Sequence, residues 1–342
     1  MKQIDISFCI PIYNVSAYIH DCLQSILSEI SEIEAEIICI DDCSTDDSWR
    51  LVKEAADQYI NIICNQNSIN RGVSYSRNKA IEMAQGKYIW FVDPDDLLAP
   101  GIVKQFLNHA EENHADIVIG NYLRVEEAFS ISHIAESMNH DVVFKHYDTL
   151  IHPSDSNGKT MNAIWAGLFK TEFLREHHVL FRENMIAQED TLFYYEVEQC
   201  FPSVYKTDAV CYFYRQRQSS VMHHKSEERM EKYYSSMIIM LEVYKEYYDS
   251  GKYRDKIILE EKIHRSYENI SACLAKCIDH AFVKKNLQEL KQKGYYPYPL
   301  RMNIFKQKGS KIKEIMDYVL PIEPLFWFVH YVYAFINRRR FK

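Results

Sequence analysis

Four short runs rich in β-branched and aromatic residues, ISFCIPIYN, AEIICIDD, INIICNQN and KYIWFVD, lie between residues 6 and 93, separated by amphipathic stretches near 16–30, 46–58 and 73–85. No other feature restricts the chain as much. Strand-like segments joined by helix-length connections make βαβ units, and successive units build a mainly parallel sheet covered by helices. Local punctuation agrees: Ser44, Thr45 and Asp46 can cap the second helix, and Gly86 stands where the third should stop. The pattern continues through a helix-like GIVKQFLNHAEENH and a strand-like ADIVIGNYLRV to about residue 126. A polar, irregular stretch follows to about 160, then a second ordered block over about 160–220, and residues 225–290 read as helices dense in Lys, Glu, Tyr and Leu.

In a parallel sheet, loops and helix N-termini converge outside the carboxyl ends of the strands, and ligands bind there. Each of the four runs ends in an unusual motif: PIYN, DDCSTDD, NQNSINRGVSYSRN and DPDD. One such motif is ordinary turn chemistry, because Asp, Asn, Ser and Gly dominate loops and caps. Four in register on one edge describe a site. Within it Asp93, Asp95 and Asp96 crowd into four positions, and like charges so close repel unless a cation joins them. Hard carboxylate oxygens select Mg²⁺ or Mn²⁺, which keep waters and complete their shell with substrate phosphates. Pro94 fixes its own φ and holds Asp93 extended, out of a helical turn. Taken alone, a DxD is as well explained by a turn or a helix cap.

Composition narrows the alternatives. A net charge of −8, from 40 Lys and Arg against 48 Asp and Glu, argues against a general nucleic-acid binder. The nine cysteines are scattered without a CxxC pair and read as buried thiols in a reducing cytoplasm, not as a disulfide framework or zinc site. The start MKQIDISFCIPIYN lacks the apolar run and cleavage context of a signal peptide, and nowhere do about 18 uncharged apolar residues run together. Basic charge gathers at the end, where from Arg301 onward nine Lys and Arg face three Asp and Glu. There PLFWFVHYVYAFINRRRFK joins an aromatic apolar run to Arg338, Arg339 and Arg340. This suits a helix lying in the headgroup region on anionic lipid; a C-terminal core helix with a basic tail is the alternative.

Together, SFCIPIYN, IICIDDCSTDDS, NRGVSYSRNKAIEMAQGKYIWFVDPDD and the later QED resemble the family 2 glycosyltransferases, inverting sugar transferases of the GT-A fold that use nucleotide-sugar donors. The resemblance covers about 1–125 and recurs over about 160–220, where WAGLFKTEFL and QEDTLFYY look like the acceptor-side block of members that build bacterial polysaccharide. It implies an α/β GT-A domain over 1–222, with a nucleotide-binding part at about 1–126 and an acceptor part at about 160–222; beyond the resemblance, the residues themselves read as a largely helical region over 223–342. It also implies that Pro11, Tyr13 and Asn14 line the nucleotide pocket, with the Tyr13 ring near the base, and that Asp42, with Asp41, accepts from a uracil-like edge. Asn70, Gly72 and Arg77 match the nucleotide and diphosphate side, Asp93 the ribose or donor sugar, and Asp95 and Asp96 the metal and diphosphate positions.

Inverting transfer needs a carboxylate opposite the leaving diphosphate, to take the acceptor hydroxyl's proton as that oxygen attacks the anomeric carbon. Asp190, with Glu189 beside it, matches the family's base; adjacent carboxylates are also common in a helix's first turn, where they complement its dipole. Trp165, Lys170 and Phe181 stand in the acceptor-side block, where Trp165 either stacks on a sugar ring or is a core tryptophan. Arg215 and Arg217 match a basic loop facing the diphosphate or an acceptor phosphate, the alternative being exposed arginines at a strand end. His223 and His224 either offer an imidazole to the metal or are a solvated pair. The resemblance therefore implies transfer assisted by Mn²⁺ or Mg²⁺, from a nucleotide-sugar, preferably a UDP-sugar, to a glycan or lipid-linked oligosaccharide. The cysteine usage and the basic aromatic tail together point to a cytoplasmic protein peripheral on the inner face of the cell membrane. A sugar nucleotidyltransferase would want a Gly-rich phosphate loop after the first strand, and PIYNVSAYIH has no glycine. An inactive scaffold of a polysaccharide assembly complex is the alternative from another class; Asp93, Asp95, Asp96 and Asp190 argue against it.

Overall fold

The computed structural model describes residues 3–132, 149–151, 163–217, 227–297 and 320–337. The chain divides into two compact units, one of Met1–Asn184 with Glu189–Ser220, the other of Met185–Gln188 with Val221–Lys342.

The first unit opens with β1 (Ile6–Ile12), α1 (Ile19–Leu27), β2 (Ala35–Asp41), α2 (Ser48–Gln58), β3 (Ile62–Gln66), α3 (Val73–Met83) and β4 (Tyr88–Phe91). It continues with β5 (Leu97–Leu98), α4 (Ile102–Glu112), β6 (Ile117–Glu126), β7 (Thr149–Ile151), β8 (Gly167–Lys170), α5 (Thr171–Glu176), α6 (Glu189–Gln199) and β9 (Val204–Gln216). The strands lie in the order β3-β2-β1-β4-β8-β6-β9-β5, with β7 against β9. The first four are parallel, as the alternation predicts, with Cys9 opposite both Ile38 and Phe91. Beyond β4 the sheet becomes mixed: β8 runs antiparallel to both β4 and β6, and β9 runs parallel to β6.

All seven residues of β1 are buried. A strand covered on both faces needs apolar side chains at every position, which is why its sequence does not alternate. Successive residues of β4 serve opposite faces. Trp90 stacks on Phe106 with ring centres 4.8 Å apart, and its indole N–H donates to the Trp165 carbonyl at 2.8 Å. Phe91 meets Phe169, Phe181 and Phe193 edge-on.

Two local expectations are refined. Asp46 supplies the cap of α2, accepting the Ser48 N–H at 2.9 Å, while its other oxygen accepts the Ser16 N–H at 3.0 Å. Gly86 is no helix stop, since α3 has already ended at Met83. Its N–H donates to Ser7 Oγ at 2.8 Å, and a Cβ there would lie 2.5 Å from the Ser7 nitrogen. The glycine permits the close approach of two backbones.

The second unit contains α7 (Glu227–Ser250), α8 (Lys256–Lys276), α9 (His280–Gln292) and α10 (Glu323–Asn337). Asp255 and Asp279 cap α8 and α9, each accepting two N–H groups of the following turn. Leu241, Leu259, Leu274, Val283, Leu287 and Phe326 are buried. On α10, Phe326 and His330 are buried, whereas Phe328 and Tyr331 are 66% and 56% exposed. The expected interfacial helix thus exists as a helix, and its basic continuation, Arg338 to Arg340, lies outside the described residues. Among the described residues no helix is long and apolar enough to cross a membrane.

All nine cysteines are free thiols. Burial raises the pKa of Cys9, Cys39 and Cys211 well above that of an ordinary thiol, so these remain protonated.

Candidate active site

The exits of β1 to β3 are stitched together by their own polar side chains. Asn14, with φ of 52°, donates its N–H to Ser44 Oγ at 3.0 Å and accepts the Thr45 N–H on Oδ1 at 2.8 Å. Asp41 accepts from the Ser44 N–H and the Gln66 amide, both at 3.0 Å, and its other oxygen is buried without a partner. Asp42 accepts from the Asn67 amide and the Arg71 N–H at 2.9 Å on one oxygen, and from the Gly72 N–H at 2.6 Å on the other. The carboxylate assigned to a uracil edge is therefore committed to folding the β3–α3 loop. Gly72, with φ of 88°, turns that loop into α3, a conformation L residues rarely adopt. Asn70 and Tyr13 are exposed on the same loops, Tyr13 by 47%. Pro11 lies within β1, buried opposite Ile40, so it shapes the strand and does not line an open pocket.

Arg77 has a more central place than its match to the diphosphate side implies. From the second turn of α3 it donates to Asp190 at 2.8 Å and Glu189 at 3.1 Å through one terminal nitrogen, and to Asp93 at 3.0 Å through the other. Its side chain is only 4% exposed, against 21% for Asp190 and 26% for Asp93. Burial disfavours the guanidinium, but Asp190, Asp93 and Glu189 outweigh it and hold the charge in place. Burial also raises the Asp190 carboxyl well above the ordinary carboxylate range; Arg77 pulls it down, and Glu189 and Asp93 push it up. Phe181 forms the apolar floor, with the guanidinium 5.2 Å from its ring centre and Phe193 stacked on it at 4.1 Å. The arrangement joins the end of β4 to the first turn of α6. It leaves a partly accessible carboxyl whose proton affinity is set by burial and then by its charged neighbours, a combination that suits a general base.

The DPDD turn sorts its aspartates. The Asp93 N–H donates to the Tyr212 hydroxyl at 2.9 Å, and the Asp96 N–H closes back on the Asp93 carbonyl at 3.1 Å. Asp95 meets Arg217 with Oδ2 2.5 Å from Nε. Asp96 is 1% exposed and accepts the Arg215 N–H at 2.7 Å. It turns toward β9, where burial raises its carboxyl well above the usual range, and so it is not placed as a metal ligand. Arg215 is likewise interior, donating to the Phe129 carbonyl at 2.7 Å and pairing with Asp21 at 3.4 Å. It builds the wall and does not face a ligand. Burial, then Asp93, raises the Asp95 carboxyl, with Arg217 opposing them. Among the described residues no three His, Cys, Asp or Glu side chains converge on a metal position. Within the turn Asp95 fits in chemistry, a part-exposed hard carboxylate beside Asp93; a Mg²⁺-like ion there would take one or two protein ligands and leave the rest of its shell to phosphate and water. His223 and His224 lie outside the described residues.

On the acceptor side the structure separates the expected residues. Trp165 is 8% exposed, stacked on Tyr212 and Tyr214 at 4.6 and 5.4 Å and met edge-on by Tyr122, which is the core alternative. Lys170 pairs across from Tyr88 at the start of β4, the end opposite the aspartates, within 3.5 Å of Glu172. It takes no part in the cluster. Tyr18, which the sequence did not mark, lies with its ring centre 5.2 Å from both the Arg215 and Arg217 guanidiniums. A single aromatic residue just before α1 carries no sequence signal for that role.

Comparison with known proteins gives the family and the fold. The description Glycosyl transferase family 2 matches residues 7–177, half of the chain. Poly(ribitol-phosphate) beta-glucosyltransferase of Bacillus spizizenii is 31% identical over 190 residues, 55% of this chain and 28% of that protein. Putative glycosyltransferase EpsH of Bacillus subtilis is 28% identical over 241 residues, 68% of this chain and 66% of that protein. Minor teichoic acid biosynthesis protein GgaB of Bacillus subtilis is 39% identical over 117 residues, 33% of this chain and 13% of that protein. The chain thus spans only a minor part, 28% and 13%, of two of these relatives. Residues 1–349 of S. aureus TarS, solved in complex with UDP-GlcNAc, share the fold with a TM-score of 0.56 at 18% identity, covering 90% of this chain and 98% of that one. The α/β fold of GT-A type with its helical C-terminal region is the one expected, and the chain belongs to glycosyl transferase family 2.

Proposed function

We propose that the chain transfers a sugar, with inversion, from a UDP-sugar to a glycan or lipid-linked acceptor in the synthesis of a cell-surface polysaccharide or teichoic acid. The observation that carries this reading is the Arg77 cluster, which fixes Asp190 beside Asp93 with part of its carboxyl accessible. Asp190 takes the acceptor hydroxyl's proton while that oxygen bonds to the anomeric carbon, and the bond from that carbon to the diphosphate breaks. Arg77 orients the base and keeps enough of it ionised. Asp93 positions the donor sugar, Tyr13 and Asn70 flank the nucleotide, and the α3 N-terminus offers its positive end to the diphosphate. Asp95 would hold a divalent cation, which when bound supplies positive charge for the departing diphosphate. The UDP-GlcNAc bound by TarS and the glucosyltransferase and teichoic acid names of relatives support the donor and product classes. The exposed aromatic side of α10 and the basic end of the sequence support an anionic membrane surface as the working location.

The test is Asp190→Asn. UDP affinity measured by calorimetry should stay within about twofold, while sugar transfer falls by about 10²–10⁴, the usual contribution of a general base. Turnover near that of the unmodified enzyme would remove Asp190 from the mechanism. Mass spectrometry of products from a UDP-sugar panel on lipid-linked acceptors tests donor and acceptor together; a chain that turns over none of them would favour the scaffold reading.

A further inference from the structure

Two arginines two residues apart on the same side of β9 have unlike surroundings. Arg215 is 2% exposed in its side chain and fixed from several directions, by Asp21, by the Phe129 carbonyl and through its own N–H to Asp96. Arg217, just past the strand's end, is 18% exposed, and among the described residues it meets Asp95, itself 17% exposed, and the Tyr18 ring. The guanidinium therefore sits on the aspartate of the DPDD turn that is part-exposed and not already held by Arg77, a carboxylate whose chemistry suits a divalent cation. A single carboxylate cannot hold both at full strength, because the two cations would repel across the shared oxygens. A guanidinium displaced from Asp95 would stay within reach of what a divalent ion there brings, a diphosphate, whose paired oxygens match its planar fork better than any point charge does.

We infer that Arg217 is the resident counter-cation of the donor site, which neutralises Asp95 in the free protein, is displaced when a divalent cation occupies that carboxylate, and transfers its hydrogen bonds to the donor diphosphate. The inference rests on the donor-site reading above. It makes cation alone a poor ligand and cation with nucleotide a good one, since the cost of losing the Arg217 pair is recovered only when the diphosphate arrives. Linkage requires each ligand to improve the other by the same factor.

The experiment is titration of Mn²⁺ into the full chain, followed by paramagnetic resonance, and of UDP at saturating Mn²⁺, followed by calorimetry, for the unmodified protein, Arg217→Gln and Arg217→Lys. Arg217→Gln should bind Mn²⁺ alone about tenfold more tightly, about 1.4 kcal/mol, and bind UDP with Mn²⁺ about tenfold more weakly. Arg217→Lys keeps the charge without the fork, so its Mn²⁺ affinity should stay near the unmodified value while part of the UDP affinity is lost. Opposite changes in the two affinities are the signature, because a structural defect would weaken both. Unchanged or weaker Mn²⁺ binding in Arg217→Gln overturns the inference, and if Mn²⁺ still strengthens UDP binding in that variant, the donor-site reading survives it. Absence of any Mn²⁺ effect on UDP binding in the unmodified protein overturns both.

Discussion

Arg77 lies 112 residues before Glu189 and 113 before Asp190, so no local period in the sequence links them. Asp93, Asp190 and Arg77 were each legible as members of a site from motif and position; that one guanidinium ties all three together became visible only in the fold. Replacing Arg77 by Gln leaves three carboxylates together with 14% to 26% exposure. Breaking such a buried pair costs about 3–5 kcal/mol, which denaturant unfolding should register. The variant should also move the pH dependence of transfer. In the proposed mechanism Asp190 acts as a base only when ionised, and its pKa is already raised by burial, with Arg77 opposing the rise. Activity should therefore fall as pH drops through a value above the ordinary carboxylate range, and Arg77→Gln should displace that acid limb to still higher pH in kcat/KM profiles. An acid limb at the same pH in both proteins would mean that another group governs it. Asp42 and Asp96 show the reverse limit, since a sequence cannot tell a carboxylate facing a ligand from one consumed by backbone N–H groups.

At the level of elements, β1 to β4 were readable because strands buried on both faces must be continuously apolar. The mixed half of the sheet was harder. β5 has two residues and β8 four, too few to display a period, and their pairing with β9 and β4 depends on distant chain. α6 is no easier, with Leu192 through Val197 all buried and so no polar stripe to betray a helix. Gly86 looked like punctuation and proves to be packing. Gly86→Ala would press a Cβ against the backbone of Ile6 and Ser7, which cannot rotate aside, as well as against Ser7 Oγ. The expected loss is about 1–3 kcal/mol, seen as a lowered denaturation midpoint. A midpoint within error of the unmodified protein would show that β1 and the α3–β4 loop can separate without cost.

Over the whole molecule, the acidic first part and basic end were legible as charge, whereas the face α10 presents was not, because aromatic residues surround it on all sides. Phe326 is buried and Phe328, two residues on, is exposed. Deleting everything after Pro321 would remove Phe326 and His330 from the helical unit as well as any lipid contact, so loss of binding would be ambiguous. Phe328→Glu touches only the exposed side. It should reduce flotation with anionic liposomes severalfold while leaving the melting temperature within a degree or so, given that isolated surface substitutions are usually within about 0.5 kcal/mol. Undiminished flotation would place membrane contact elsewhere on the chain.

The cysteines give the enzyme an unplanned use. Six of the nine are sealed in the interior, leaving Cys43, Cys64 and Cys200 partly accessible. Cys43 stands between Asp42 and Ser44, in the loop that Asn14 stitches to the first strand. A thiol-reactive fluorophore attached there would report from the rim of the proposed nucleotide site in a chain whose proposed catalytic residues are untouched, provided Cys64 and Cys200 are first made Ser. Donor occupancy then becomes an optical signal, readable without a radioactive sugar or a known acceptor.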